Sequence, residues 1–575
     1  MIKRLARSVR EYKWAALGSP LCMIGEVTME VLIPLVLREL LRQGITPGYM
    51  PAVWKYGGLL ALCALCSLLF GVASAFFAAY ASTGFARNLR HDMFAKVQTF
   101  DFRNIDKFST SSIVTRLTSD VATLQMTFQM SIRMIFRTPV MVVMALILAF
   151  DISPKLSLIY CIVLPLLAVG LISLIRLVHP IFEKVFKTYD RLNNVVQENV
   201  HGVRVVKSFV RQEKEMEKFN DTSDAIYKFF TKAERIMAFN NPLMQFAIYT
   251  TIIALSFLGA KLVVGGELDA ESLATMFTYT SQILMGLMMM SMVFVMFTMS
   301  REPMRRAYEI LTEEPALKNP ENPITEVKDG SIDFENVSFR YSETAGRNAL
   351  DKINLYIPAG ATVGILGSTG ASKSTLVQLI PRLYDATEGS LKVGGVDVRD
   401  YDIHALRDQV AMVLQKNTLF SGTIRDNLRW GKPDATDEEM EHACKLSCAH
   451  DFITSFPDGY DTQIEQGGTN VSGGQKQRLC IARALIKKPK ILILDDSTSA
   501  VDTRTDALIR KAFKEEIPGT TKLIIAQRVA SVQDADMIVV LDGGKIVAVG
   551  QHDDLLQTSE IYKEVYDSQV KGGEE

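Results

Sequence analysis

The chain has 575 residues and a formal net charge of -1, with 48% hydrophobic residues, 22% charged residues and a mean hydropathy of +0.14. Such apolarity is high for a soluble protein of this length and suggests a membrane-embedded part joined to a soluble part. The near-neutral balance argues against a general nucleic-acid binder, and the seven cysteines complete no zinc pattern, so free thiols are expected.

Residues 1–13 carry Lys3, Arg4, Arg7, Arg10 and Lys13 with Ile2, Leu5 and Val9 between them, the pattern of an amphipathic elbow on the inner membrane surface. Six apolar stretches follow, near residues 14–36, 56–81, 132–150, 156–178, 242–264 and 272–299. Most reach the roughly 20 residues that cross hydrocarbon, and their number speaks against a cleaved leader. Basic residues crowd the N-terminus and residues 83–129 and 180–241, which places these in the cytoplasm and the connections at 46–53, 151–155 and 265–271 outside. Arg38 and Arg42 dissent, but near a span end they can snorkel.

The two long cytoplasmic segments have helical periodicity. About 20 further residues carry a helix roughly 30 Å past the bilayer before it turns back. The turns are expected near residues 108–113 and 221–227. Glu26 and Glu30 share one face of the first span. An intramembrane acid is costly, so these are expected to meet a cationic cargo group or to pair with Arg133, Arg137 or another chain. The sixth span is rich in methionine, at 276, 285, 288, 289, 290, 292, 296 and 299. Thioethers suit varied apolar ligands, although the same residues also serve ordinary packing. Glu26, Glu30, Met285, Met289, Met292 and Met296 therefore mark a candidate substrate path. Pro315, Pro320 and Pro323 mark a linker, so the expected domains are a membrane domain at 1–312, a linker at 313–330 and a soluble domain at 331–575.

In the soluble part, Val363, Gly364, Ile365 and Leu366 form a buried-strand pattern followed by Gly367, Ser368, Thr369, Gly370, Ala371, Ser372, Lys373, Ser374 and Thr375. The glycines let backbone N–H groups close around phosphate, Lys373 reaches the terminal phosphates and Ser374 can ligate Mg²⁺. A second apolar run, opening the stretch 491–502, delivers Asp495 and Asp496 to the carboxyl end of a strand, where open α/β sheets place ligands. Gln415 ends another strand, at 410–414.

The P-loop, Gln415, the run Val471, Ser472, Gly473, Gly474 and Gln475, and Asp495 occur in the order and spacing of an ATP-binding cassette (ABC) domain. Nearly the whole chain resembles an exporter-type ABC half-transporter, with the cassette motifs far more specific than the membrane segment. The resemblance implies an all-α six-span transmembrane domain with long cytoplasmic helical extensions, followed by an α/β P-loop cassette. It implies a multi-pass cell-membrane protein with its N-terminus and cassette in the cytoplasm, driven by ATP with Mg²⁺ held at Ser374, Gln415 and Asp495. Tyr341 takes the adenine-stacking position, Ser472 to Gln475 face a second cassette's ATP, and Asp502 falls where the cassette dimer interface is crossed. Residues 108–113 resemble the exporter coupling segment, although Ser111 and Ser112 replace the usual Gly-Glu, and residues 198–207 resemble a stretch of exporter membrane domains.

Three positions depart from the family. Asp496 stands where glutamate polarises the attacking water, and a one-methylene retreat can cost roughly 10²-fold in rate. Gln527 stands at the switch histidine and cannot titrate as an imidazole does. Ser372 replaces a glycine, which adds strain on the order of 1 kcal/mol if that position needs a positive φ. Because ABC cassettes dimerise head to tail, the three changes fall in one composite site and the intact signature serves the other. The expected assembly is a heterodimer in the lipid bilayer with a second half-transporter that keeps the glutamate and histidine. The expected cargo is a hydrophobic or amphipathic small molecule such as a drug. Lipid or peptide export by the same engine, and an ATP-gated channel or regulator, are the alternatives.

Overall fold

The computed structural model describes residues 1–342, 346–496 and 501–571. Residues 497–500 of the stretch 491–502, and the tail beyond Lys571, lie outside the described residues. The chain forms two compact units, Met1–Gln98 with Thr110–Glu313 and Thr99–Ser109 with Glu314–Glu575. The expected division was contiguous, whereas these units interleave at Thr99–Ser109.

The first unit is all-helical. A short α1 (Ile2–Leu5) and a 3-10 turn at Ala6–Tyr12 precede α2 (Lys13–Leu40). Then come α3 (Met50–Gln98), after which the chain enters the other unit through α4 (Phe102–Phe108) and returns with α5 (Thr110–Thr115), α6 (Val121–Ile152), α7 (Pro154–Ser208), α8 (Gln212–Met237), α9 (Asn240–Val264) and α10 (Ala270–Thr312). Among the described residues, six helical segments are long and apolar enough to cross a membrane. At 1.5 Å per residue the 49 residues of α3 and 55 of α7 run about 70–80 Å, well beyond a hydrocarbon core of about 30 Å. The N-terminal elbow docks on α3, where Asn88 Nδ2 donates to the Ser8 carbonyl at 3.1 Å and Ser8 Oγ to Asp92 Oδ2 at 2.9 Å.

Both turn expectations need correction. The first reversal is built around α4 at Phe102–Phe108 and ends at Ser109, whose φ is 55°, while residues 110–113 already belong to α5. Residues 221–227 lie inside α8, and the second reversal is at Phe209, Val210 and Arg211. There α7 closes with Arg211 N donating to the Val206 carbonyl at 3.0 Å, around Val210 at φ 52°. This cap normally selects glycine, and a β-branched residue in that conformation leaves no signal in the sequence.

The polar residues of the spans find partners in this unit. Arg137 of α6 donates to Glu26 Oε1 and to Glu30 Oε2 of α2, each at 2.7 Å. Buried Tyr279 donates to the Val31 carbonyl at 3.0 Å, and Tyr160 meets Thr280 Oγ1 at 2.8 Å, which ties α10 to α2 and α7. Met276 is fully buried in this core, whereas Met285, Met289 and Met292 are exposed and Met296 partly so.

The second unit is α/β. Its main sheet has the order β12 (Lys545–Gly550), β11 (Met537–Asp542), β3 (Thr362–Gly367), β10 (Thr521–Ile525), β9 (Ile491–Asp495), β6 (Val410–Val413), with only β12 antiparallel. Every residue of β9 and β10 is buried, the polar Thr521, Lys522 and Asp495 included, and the apolar remainder suits a parallel sheet covered on both faces. An antiparallel sheet of β2 (Leu350–Ile357), β1 (Ile332–Phe339), β4 (Glu388–Val393) and β5 (Val396–Asp397) covers one side. The pair β7 (Gly422–Thr423) and β8 (Gln463–Ile464) stands by the helical part. Helices α11 (Lys373–Leu379) and α12 (Ile403–Gln409) follow β3 and β5, and α13 (Ile424–Arg429), α14 (Asp437–Leu446), α15 (His450–Ser455) and α16 (Gly473–Ile486) form the helical part. The chain ends with α17 (Thr503–Glu516), α18 (His552–Thr558) and α19 (Glu560–Lys571).

Candidate nucleotide site

Parallel register sets the site. Ile365 pairs with Ile525 and Ile525 with Asp495, so β3, β10 and β9 end level and bring the P-loop, Gln527 and both aspartates to one sheet edge. At Gly367, φ is 155° and a Cβ would sit 2.2 Å from the Leu541 carbonyl oxygen, so only glycine lets the strand leave the sheet there. Gly367→Ala should therefore destabilise the cassette by about 2 kcal/mol and abolish measurable ATP binding, which thermal melting and equilibrium binding would record together.

Lys373 Nζ donates to the carbonyls of Gly367 and Ser368 at 2.8 and 2.9 Å, holding the loop around the ammonium. Burial lowers its pKa, against the raising pull of Asp496 and Asp495. Ser368 Oγ donates to Asp542 Oδ1 at 3.3 Å, Ala371 is buried, and Gly370 has open space around it. Thr369 is exposed on the loop. Ser372 adopts φ 67° and ψ 26°, a left-handed conformation that costs a residue with a Cβ about 1 kcal/mol.

Ser374 Oγ donates to Asp495 Oδ1 at 3.0 Å, and burial raises the pKa of that carboxyl. A serine hydroxyl, a carboxylate and the nearby Gln415 amide form an all-oxygen donor set, which fits a hard cation such as Mg²⁺. When bound with ATP, such an ion neutralises charge on the phosphates. Asp496 has φ 47°, and its Oδ2 accepts from Gln527 Nε2 at 2.8 Å and from Gln415 Nε2 at 3.4 Å. The carboxylate is thus held by two side-chain amides. Gln477, which the sequence reading passed over, donates to the Asp496 carbonyl at 3.4 Å. Gln477 is buried on α16 two residues beyond Gln475, and nothing in the sequence alone marks it.

Tyr341 is 47% exposed, and its hydroxyl meets Thr375 Oγ1 at 2.9 Å. Ser472 caps α16: its Oγ accepts from Gln475 N at 3.2 Å while Gln475 Oε1 accepts from Ser472 N at 2.9 Å, leaving Gly473 and Gly474 as the first helical residues. Among the described residues, no hydrogen bond joins Ser472 to Gln475 with the P-loop. Asp502 caps α17 and accepts from Thr505 N at 3.0 Å, and that backbone N–H lowers its pKa. The seven cysteines are free, and no metal-ligating cluster of His, Cys, Asp and Glu occurs among the described residues.

Two family models match the chain, the ABC transporter transmembrane region over residues 18–288 and the ABC transporter model over 350–499. It is 34% identical to the ABC transporter ATP-binding protein YfiB of Bacillus subtilis over 547 residues, 95% of each chain. It is 33% identical to YknU of Bacillus subtilis over 99% of this chain and 97% of that one. A further relative, Rv1273c of Mycobacterium tuberculosis, is 32% identical over 99% and 98% of the two chains. The fold matches a bacterial Atm1-family ABC exporter solved with ATP bound, with a TM-score of 0.84 at 24% identity over 96% of this chain and 99% of that chain.

Proposed function

The chain belongs to the ABC transporter family as a half-transporter of exporter architecture, a membrane-embedded dimer subunit whose ATP hydrolysis is coupled to transport, and from that premise we propose that its companion is an unlike second half-transporter. The observation that carries this reading is Asp496: a carboxylate one methylene short of the family's glutamate, held by the amides of Gln527 and Gln415 at 2.8 and 3.4 Å. A carboxylate one methylene short, with Oδ2 turned to the two amides, is displaced from where a glutamate would meet the attacking water. ATP over this chain's P-loop then acts mainly as a clamp across the cassette interface. The companion's P-loop, completed by Ser472, Gly473, Gly474 and Gln475, turns over, with a glutamate and a histidine from the companion. Asp502, in the segment between the two sites, links their states.

The cargo reading rests on the exposed thioethers of Met285, Met289 and Met292. They favour hydrophobic or amphipathic compounds moved outward, drugs among them. Glu26 and Glu30 are engaged by Arg137, so any part they play in cargo contact begins from a closed ion triad. Purification from the native host should bring down an unlike half-transporter in equal amount, and ATP turnover of that pair should rise with apolar amphiphiles. Recovery of only a homodimer would reject the pairing.

A further inference from the structure

An aromatic chain leads away from the nucleotide site. The Tyr341 ring meets Tyr384 edge-on, with centroids 5.3 Å apart at 86°. Tyr384 packs in turn on Phe102 at 6.0 Å and donates its hydroxyl to Asp106 Oδ2 at 2.9 Å. Phe102 and Asp106 lie on α4, the helix through which the chain passes from α3 to α5. Asp101 caps α4 and accepts from the backbone N–H groups of Ala316 and Leu317 at 2.6 and 3.2 Å, anchoring the helix's start to the chain that leads into the cassette. Between these contacts lies a cavity of about 320 Å³ lined by Asp101, Arg103, Tyr341, Leu383, Tyr384 and Asp385. Burial, with Asp106 beside it, pushes the Tyr384 phenol well above its ordinary value, so it remains a donor across the working pH range.

The magnesium and phosphate contacts need none of this. The chain joins the base end of the site to the one segment of the cassette unit that is covalently continuous with both α3 and α5. We propose that Tyr384 is a positioning residue that transmits base stacking on Tyr341 to α4, so that the membrane-side segment registers the adenine of a bound nucleotide rather than its phosphates. The proposal rests on the reading of Tyr341 as the adenine platform. Lys373, Ser374 and Asp495 touch neither Tyr384 nor α4 through any described hydrogen bond, and the P-loop meets the aromatic chain at Thr375 Oγ1 on the Tyr341 hydroxyl, 2.9 Å away, so phosphate without a base stacked on that ring should leave α4 unaltered.

The test is hydrogen–deuterium exchange at α4 in the full-length protein in lipid nanodiscs, with ATP or inorganic tripolyphosphate at saturation. ATP should slow exchange of the α4 amides and tripolyphosphate should not. Tyr384→Phe keeps the ring and removes the Asp106 bond. It should weaken the ATP-dependent slowing about five-fold while ATP still binds. Asp106→Asn, the second variant, should cause the same loss, with no further loss in the double variant. Equal slowing by tripolyphosphate, or full ATP-dependent slowing in both single variants, would overturn the proposal. Tyr341→Ala separates the premise: unchanged ATP affinity in that variant rejects the adenine platform itself, whereas weakened affinity with an intact α4 response in Tyr384→Phe rejects only the transmission.

Discussion

Replacing Asp496 with Ala should leave ATP turnover of the assembled transporter within about two-fold, whereas replacing Ser472 with Ala should lower it about 10²-fold. The contrast follows from where the two residues act. Asp496 stands over this chain's own P-loop, already held by Gln527 and Gln415, so its removal takes away little that reaches a water. Ser472 caps α16, the helix that opens with the signature glycines, which on the proposed pairing face the companion's ATP. Losing its hydroxyl removes both a donor expected at the developing phosphate charge and a cap worth about 1 kcal/mol. Steady-state ATP turnover of the purified pair, measured for each variant in turn, reads both effects. Equal, large losses would mean that both pockets hydrolyse.

Arg137→Ala should destabilise the membrane unit by about 3 kcal/mol or more. The guanidinium is the partner recorded for both Glu26 and Glu30, whose side chains are 16% and 36% exposed. Glu26 Oε2 is buried and accepts no hydrogen bond from the described residues. Truncating the cation leaves two carboxylates in a span without their recorded partner, and breaking a buried pair from one side costs about 3–5 kcal/mol. Neutralising all three positions together, with Glu26→Gln and Glu30→Gln added, should recover most of the loss, since the penalty lies in the unpaired charge. Thermal denaturation in detergent of the single and triple variants measures it. A single variant as stable as the parent would show that Arg137 does not compensate the acids.

What the sequence made legible was local or periodic. Apolar runs long enough to span hydrocarbon, and the strand runs at β3 and β9, are composition signals, and the structure has the corresponding helices and sheet. Ser372 was suspect because a glycine was missing from a loop, and its φ of 67° is the conformation a glycine takes freely. Long-range choices were not legible. Helical spacing offered Arg133 and Arg137 alike to the two glutamates, and side-chain geometry selects Arg137. The bond from Gln527 to Asp496 spans 31 residues and depends on β9 and β10 ending level, which no motif states. The reversal at Phe209, Val210 and Arg211 contains neither glycine nor proline, so neither of the usual turn residues marks it. The packing of Thr99–Ser109 with the cassette unit is a tertiary fact with no local pattern behind it.

The most direct measurement is ATP turnover by this chain purified with no companion and reconstituted in lipid nanodiscs. Pockets built on Ser372, Asp496 and Gln527 alone should hydrolyse about 10²-fold more slowly than the paired transporter. A symmetric pair of this one chain, cutting ATP in both pockets at the paired rate and moving cargo, would contradict the account.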